Sequence, residues 1–158
     1  MESKFIPQEI ELEEKELVSD WAMKKFGIQG DSIVSGIGFY KKEKVLYFIV
    51  ENSDTDIERT LLRQWLLLYT IKDKLNHRLK GDVIQRLGEN LFAGEAKLSS
   101  SFVIKSKNSN LTYIGINMGS ENMNGLRTYG IDHIEIAEAV MNEYRAELKT
   151  LEIKKEKM

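Results

Sequence analysis

A chain of 158 residues, 42% hydrophobic and 30% charged, has the length and balance of one globular domain and not of a disordered or fibrous chain. Lys and Arg number 23 against 25 Asp and Glu, so the net charge is -2 and no cationic excess is left to grip nucleic acid independently of sequence. The absence of cysteine excludes disulfides, thiolate metal sites and a cysteine nucleophile.

The start, Met1-Glu2-Ser3-Lys4-Phe5, lacks the basic-then-apolar pattern of a signal peptide, and apolar runs such as residues 65–69 are too short to span a bilayer. A soluble, cytoplasmic protein with no membrane partner is expected. Along residues 7–26 the apolar positions Ile10, Leu12, Leu17, Trp21, Ala22 and Phe26 recur at a spacing that predicts a helix ended by Gly27. Residues 33–40 and 45–50 are β-branched and aromatic, which predicts a hairpin about a polar turn at 41–44. Lys41, Lys42 and Lys44 in that turn read as a solvated surface and carry no functional assignment.

Ser53, Asp54 or Asp56 can cap the next segment, where Ile57, Leu61, Leu62, Trp65, Leu68, Tyr69, Ile71, Lys72 and Leu75 make a broad apolar stripe. This predicts the central and most buried helix. Residues 82–87 and 90–93 read as short strands, followed by a turn at Gly94-Glu95, and residues 97–105 and 111–118 as a meander about a polar turn. After a polar loop at 119–129, Ile134, Ala137, Val140, Met141 and Tyr144 define a last helix that gives way to a charged tail. The expected organisation is a single domain at 1–151 with a tail at 152–158. Helices and strands arranged in blocks, without strict βαβ alternation, predict an α+β fold with a largely antiparallel sheet and helices mainly on one face.

P-loop, dinucleotide, nucleophile-elbow and helical zinc signatures are all absent. His77 and His133 lie far apart without carboxylates at ligand spacing, so no required metal is expected. Arg63 and Gln64 sit in an otherwise apolar helix, and a guanidinium there needs solvent, a carboxylate or a bound anion. Glu58 and Glu51 are the candidate structural partners, and a ligand carboxylate is the alternative.

Three segments are distinctive. They are Trp21-Ala22-Met23-Lys24-Lys25-Phe26-Gly27-Ile28-Gln29-Gly30-Asp31-Ser32, then Ile57-Glu58 through Leu62-Arg63-Gln64, then Lys97-Leu98-Ser99-Ser100-Ser101 with Gly115-Ile116-Asn117. Together they resemble domain of unknown function 366, an uncharacterised and mainly archaeal family. That family is in turn similar to the biotin and lipoate protein ligases, through a lysine that opens a strand before small residues and a later strand ending in Gly-Ile-Asn.

The resemblance implies a biotin/lipoate ligase-like fold and a pocket for a small carboxylic acid or adenylate, with ATP as the implied cofactor. It places Lys97 between the acyl carbonyl and the α-phosphate, where a fixed cation offsets developing negative charge. Ser99 and Ser101 would let a ligand approach the strand or would be plain strand residues, and Asn117 would orient a ligand or end its strand. Arg63, Gln64 and Glu51 complete the candidate ligand-binding set. The Gly- and Arg-rich phosphate loop of the ligases has its nearest match in Gly36-Ile37-Gly38, which lacks arginine and reads as a bulge or close packing. Two functions follow: an enzyme acting on a carboxylic acid, or a non-catalytic binding or regulatory module. Either is compatible with a homo-oligomer joined through its sheets.

Overall fold

The computed structural model describes residues 1–13, 17 and 21–158. In chain order the elements are β1 (Glu2–Leu12), α1 (Trp21–Phe26), β2 (Ser32–Tyr40), β3 (Glu43–Asn52), α2 (Ile57–Leu79), β4 (Ile84–Leu87), β5 (Asn90–Ala93), β6 (Ala96–Lys97), β7 (Ser99–Lys105), β8 (Asn110–Asn117), a 3-10 turn (Leu126–Tyr129) and α3 (His133–Lys157). Five strands form one sheet in the order β1-β2-β3-β8-β7, and β4-β5-β6 form a second. Every pairing is antiparallel except that of β1 with β2. The α+β, largely antiparallel architecture is as expected.

Alternating side chains give the main sheet two apolar faces. Ile33, Phe48 and Ile114 pack on one side with Leu67, Leu68 and Ile71 of α2 and Ala137 and Val140 of α3. Val34, Ile49 and Tyr113 pack on the other with Trp21 and Ala22 of α1 and Ile28. The long helices therefore share one face, and the short α1 covers the opposite one.

Three expectations need correction. The first is the helix over residues 7–26. Residues 2–12 are a strand, residues 21–26 alone are helical in the described part, and 14–16 and 18–20 lie outside the described residues. Ile6, Ile10 and Leu12 share parity as well as near-helical spacing, and a short apolar run does not distinguish the two periods. Pro7, which has no N–H to give, falls where the β1–β2 register shifts between Ile6 and Ile10.

The second is the burial of α2. Its inner face is Thr60, Gln64, Leu67, Leu68, Ile71 and Leu75, whereas Ile57, Leu61, Leu62, Trp65 and Tyr69 are exposed. The apolar stripe was too broad for one contact face, and half of it is left outside. The third is the tail, because α3 continues to Lys157 with residues 149–158 all exposed. Glu and Lys are good helix formers, and Lys154, Lys155 and Lys157 lie at the negative end of the helix dipole.

The first hairpin is tighter than its polar run suggested. Lys41 and Lys42 take left-handed φ values of 50° and 68°, the pair needed by a two-residue turn whose twist matches the strands, and Glu43 and Lys44 join β3. Of the cap candidates, Asp56 holds the α2 N-terminus, accepting from the Arg59 N–H at 2.9 Å. The glycines at 36 and 38 serve close packing. A Cβ at Gly36 would meet the Tyr47 hydroxyl at 2.7 Å and the Ile6 carbonyl at 2.8 Å, and one at Gly38 would meet the Ile10 carbonyl at 2.9 Å. They let β1 approach β2.

Candidate functional site

Polar residues at buried positions on β7 and α2 tie the small sheet to the large one. Ser99 and Ser101 share parity and both face α2 and β5. The Gln64 amide donates to the Ser101 hydroxyl at 3.0 Å, and that hydroxyl donates to the Glu89 carbonyl at 2.6 Å. The Ser99 hydroxyl accepts from the Leu91 N–H at 2.8 Å. Both serines thus hold the β4–β5 hairpin against β7.

Beside this tie lies an open cleft of about 560 Å³, walled by Leu61, Leu62 and Trp65 of α2 and by the Gly88-Glu89 turn, with Glu58 and Gln64 completing it. Its lining is mostly apolar, as ligand pockets usually are. The Arg86 guanidinium stacks 4.7 Å from the centre of the Trp65 ring and donates to the Gly88 carbonyl at 2.7 Å.

The other expected site residues are elsewhere. Lys97 is exposed on β6 and is not part of the cleft wall; its carbonyl accepts from the Asn117 amide at 3.2 Å, and the Asn117 N–H donates to the Leu98 carbonyl at 2.8 Å. Glu51 is on the α1 face, where its carboxylate accepts from the Trp21 N–H at 3.2 Å and the Ser109 hydroxyl at 3.4 Å. Arg63 pairs with Asp54 at 3.8 Å, and neither with Glu58 nor with Glu51 as the sequence suggested. The chain turns at Ser53 before α2, which brings Asp54 and not Glu51 alongside the first turns of the helix. One Arg63 nitrogen, Nη1, is buried without a hydrogen-bond partner.

A hydrogen bond from Arg59, then one from the Asp56 N–H, hold the Asp54 carboxyl down at about 2. Burial pushes the Tyr47, Tyr113 and Tyr144 phenols well above their ordinary value. The seven expected residues therefore fall into separate places: Gln64, Ser99 and Ser101 at or beside the cleft, Lys97 with Asn117 at the β6–β7 junction, Glu51 under α1, and Arg63 at the start of α2. Sequence reasoning missed Leu61, Leu62, Trp65 and Glu89 as cleft residues. An apolar stripe wider than one buried face was the available signal. Among the described residues no group of three or more His, Asp or Glu side chains is placed to hold a metal ion. No helix is long and apolar enough to cross a membrane, again among the described residues.

An uncharacterised protein of Methanocaldococcus jannaschii is 28% identical to this chain over 84% of it and 70% of the relative. Among solved structures, a protein of unknown function from Pyrococcus horikoshi superposes with a TM-score of 0.82 at 21% identity, covering 99% of this chain and 97% of that one. The biotin protein ligase of Aquifex aeolicus, solved with biotin and ATP, superposes with a TM-score of 0.67 at 15% identity over 94% of this chain and 70% of the ligase. At these identities the superpositions establish the fold, which is that of the biotin and lipoate ligases. The model of the domain of unknown function DUF366 matches residues 39–158, and the chain belongs to that family.

Proposed function

We propose that this chain is a binding module on a ligase fold, holding a small and largely apolar molecule in the cleft between α2 and the Gly88-Glu89 turn without activating it. The supporting observation is the cleft itself: about 560 Å³ of open, apolar-walled space built on a rigid helix and fixed by the Gln64–Ser101–Glu89 chain. Lys97, the residue that an activation step would need, is not part of its wall. Releasing bound molecules from the purified protein by denaturation, with mass spectrometric detection, tests this reading. Leu62→Asp, at an exposed position, is expected to remove the ligand while leaving the fold intact. Retention of the ligand by that variant would rule the cleft out.

A second reading keeps the chemistry of the fold: activation of a small carboxylic acid with ATP at the β6–β7 junction. It rests on the exposed Lys97 ammonium, which makes no ion pair among the described residues, beside a carbonyl anchored by Asn117. The Aquifex aeolicus ligase was solved with biotin and ATP, which names the classes to try. Under this reading biotin, lipoate or octanoate releases pyrophosphate from ATP in the presence of the protein, and Lys97→Ala abolishes that release; no turnover with any of them leaves the binding reading. In either case we place the protein in the cytoplasm, with a second copy paired at a main-sheet edge strand, β1 or β7. Light scattering that reports a monomer at every concentration would remove the assembly.

A further inference from the structure

The cleft's polar side chains are two carboxylates and one amide. Glu58 stands on the α2 wall and Glu89 on the turn opposite, both exposed, and neither carboxylate has an ion-pair partner among the described residues. Gln64 is 1% exposed, its amide nitrogen is held by Ser101, and its side-chain carbonyl accepts no hydrogen bond among the described residues. The nearby Arg86 guanidinium is held by the Trp65 ring and the Gly88 carbonyl. A ligand entering this space therefore meets apolar walls, two carboxylates without ion-pair partners and the side-chain carbonyl of Gln64, with the cation Arg86 stacked on the Trp65 ring. A carboxylate head would be repelled by both glutamates and would leave the Gln64 carbonyl unsatisfied.

We infer that the cleft selects an amphiphile with a cationic, hydrogen-bond-donating head, a primary amine on an apolar body, in preference to an acid of the same shape. The inference rests on the binding reading above and specifies its ligand class. The body lies along Leu61, Leu62 and Trp65, and the ammonium sits between Glu58 and Glu89 with one N–H toward the Gln64 carbonyl. An aliphatic amine is protonated at pH 7, as lysine is, and an aliphatic acid is ionised, so head charge can be varied on one chain length.

Calorimetric titration of the full chain with octylamine, octanol and octanoate, each as monomer at pH 7, tests this. The amine is expected to bind about tenfold tighter than the alcohol at low salt, with the acid weakest. The difference should shrink as the Debye length falls from about 30 Å in 0.01 M salt to about 3 Å in 1 M. Glu58→Gln and Glu89→Gln should each weaken the amine severalfold and leave the alcohol unchanged; both positions are exposed, so the variants should melt like the parent. Equal affinities, or octanoate binding best, would overturn the cationic preference while leaving the cleft a binding site. Failure of all three ligands would overturn the binding reading, and the inference with it.

Discussion

Gln64 in α2 and Ser101 in β7, 37 residues apart, are joined by a 3.0 Å hydrogen bond between two nearly buried side chains. The Ser101 hydroxyl is a relay, since it donates in turn to the Glu89 carbonyl at 2.6 Å. Removing it orphans a donor and an acceptor together. Ser101→Ala is expected to cost about 1–3 kcal/mol, read as a lower urea midpoint at unchanged slope. The neighbouring Ser100, exposed on the same strand, is the control and should change stability by less than about 0.5 kcal/mol when replaced by Ala. Equal effects at the two positions would show that the relay contributes nothing.

Gly36→Ala should loosen the first strand. The new methyl would lie 2.7 Å from the Tyr47 hydroxyl and 2.8 Å from the Ile6 carbonyl, and the latter is backbone that cannot rotate away. A loss of about 1–3 kcal/mol is expected, together with faster amide exchange in β1 than in β3. Unchanged protection of β1 would contradict the packing argument.

The buried phenols predict alkaline behaviour. Tyr47, Tyr113 and Tyr144 have folded values raised by desolvation, so folding favours their neutral forms. That contribution is complete below the unfolded value near pH 10 and is lost as pH rises from there through the folded values. Of the 6 tyrosines, these three should gain tyrosinate absorbance only as the protein unfolds, in step with the loss of circular dichroism. Smooth titration of all of them in the folded protein would refute this.

Asp54 gives the opposite sign at the acid end. Its folded value of about 2 is below the ordinary carboxylate value near 3.9, so its stabilisation is present above the higher value and fades as pH falls toward the lower. Because the side chain is partly exposed the effect is shallow and salt-sensitive. Asp54→Asn should flatten the stability profile between about pH 4 and pH 2 and leave its alkaline limb unchanged; an identical acid limb would argue against the Arg59 and Arg63 pairing.

Much of this fold was legible because local chemistry and tertiary structure agree. The β2–β3 hairpin, the strand at 90–93 and the Asp56 cap each follow from side-chain pattern and turn residues within a short window. The first strand was not legible because its partner, β2, is reached only across α1, and its parity could be read at either period. The cleft was hidden for a different reason. Leu61, Leu62 and Trp65 read as core by composition, but they lie off the face of α2 that Gln64, Leu67, Leu68 and Ile71 bury. Lys97 was identified by its place at the start of a strand, but which residues surround it depends on where that strand changes sheets.

That change happens at Leu98. Its N–H donates to the Leu91 carbonyl in the small sheet, and its carbonyl accepts from the Asn117 N–H in the large one, both at 2.8 Å. A single peptide unit on each side of one buried side chain thus adds a backbone fastening between the two sheets to the bonds that Ser99 and Ser101 make. The small sheet behaves as a welded flange and not as a hinged flap. The cleft beside it consequently has a fixed frame, and any widening to admit a guest falls to rotation of the Leu62 and Trp65 side chains and to the Gly88-Glu89 turn.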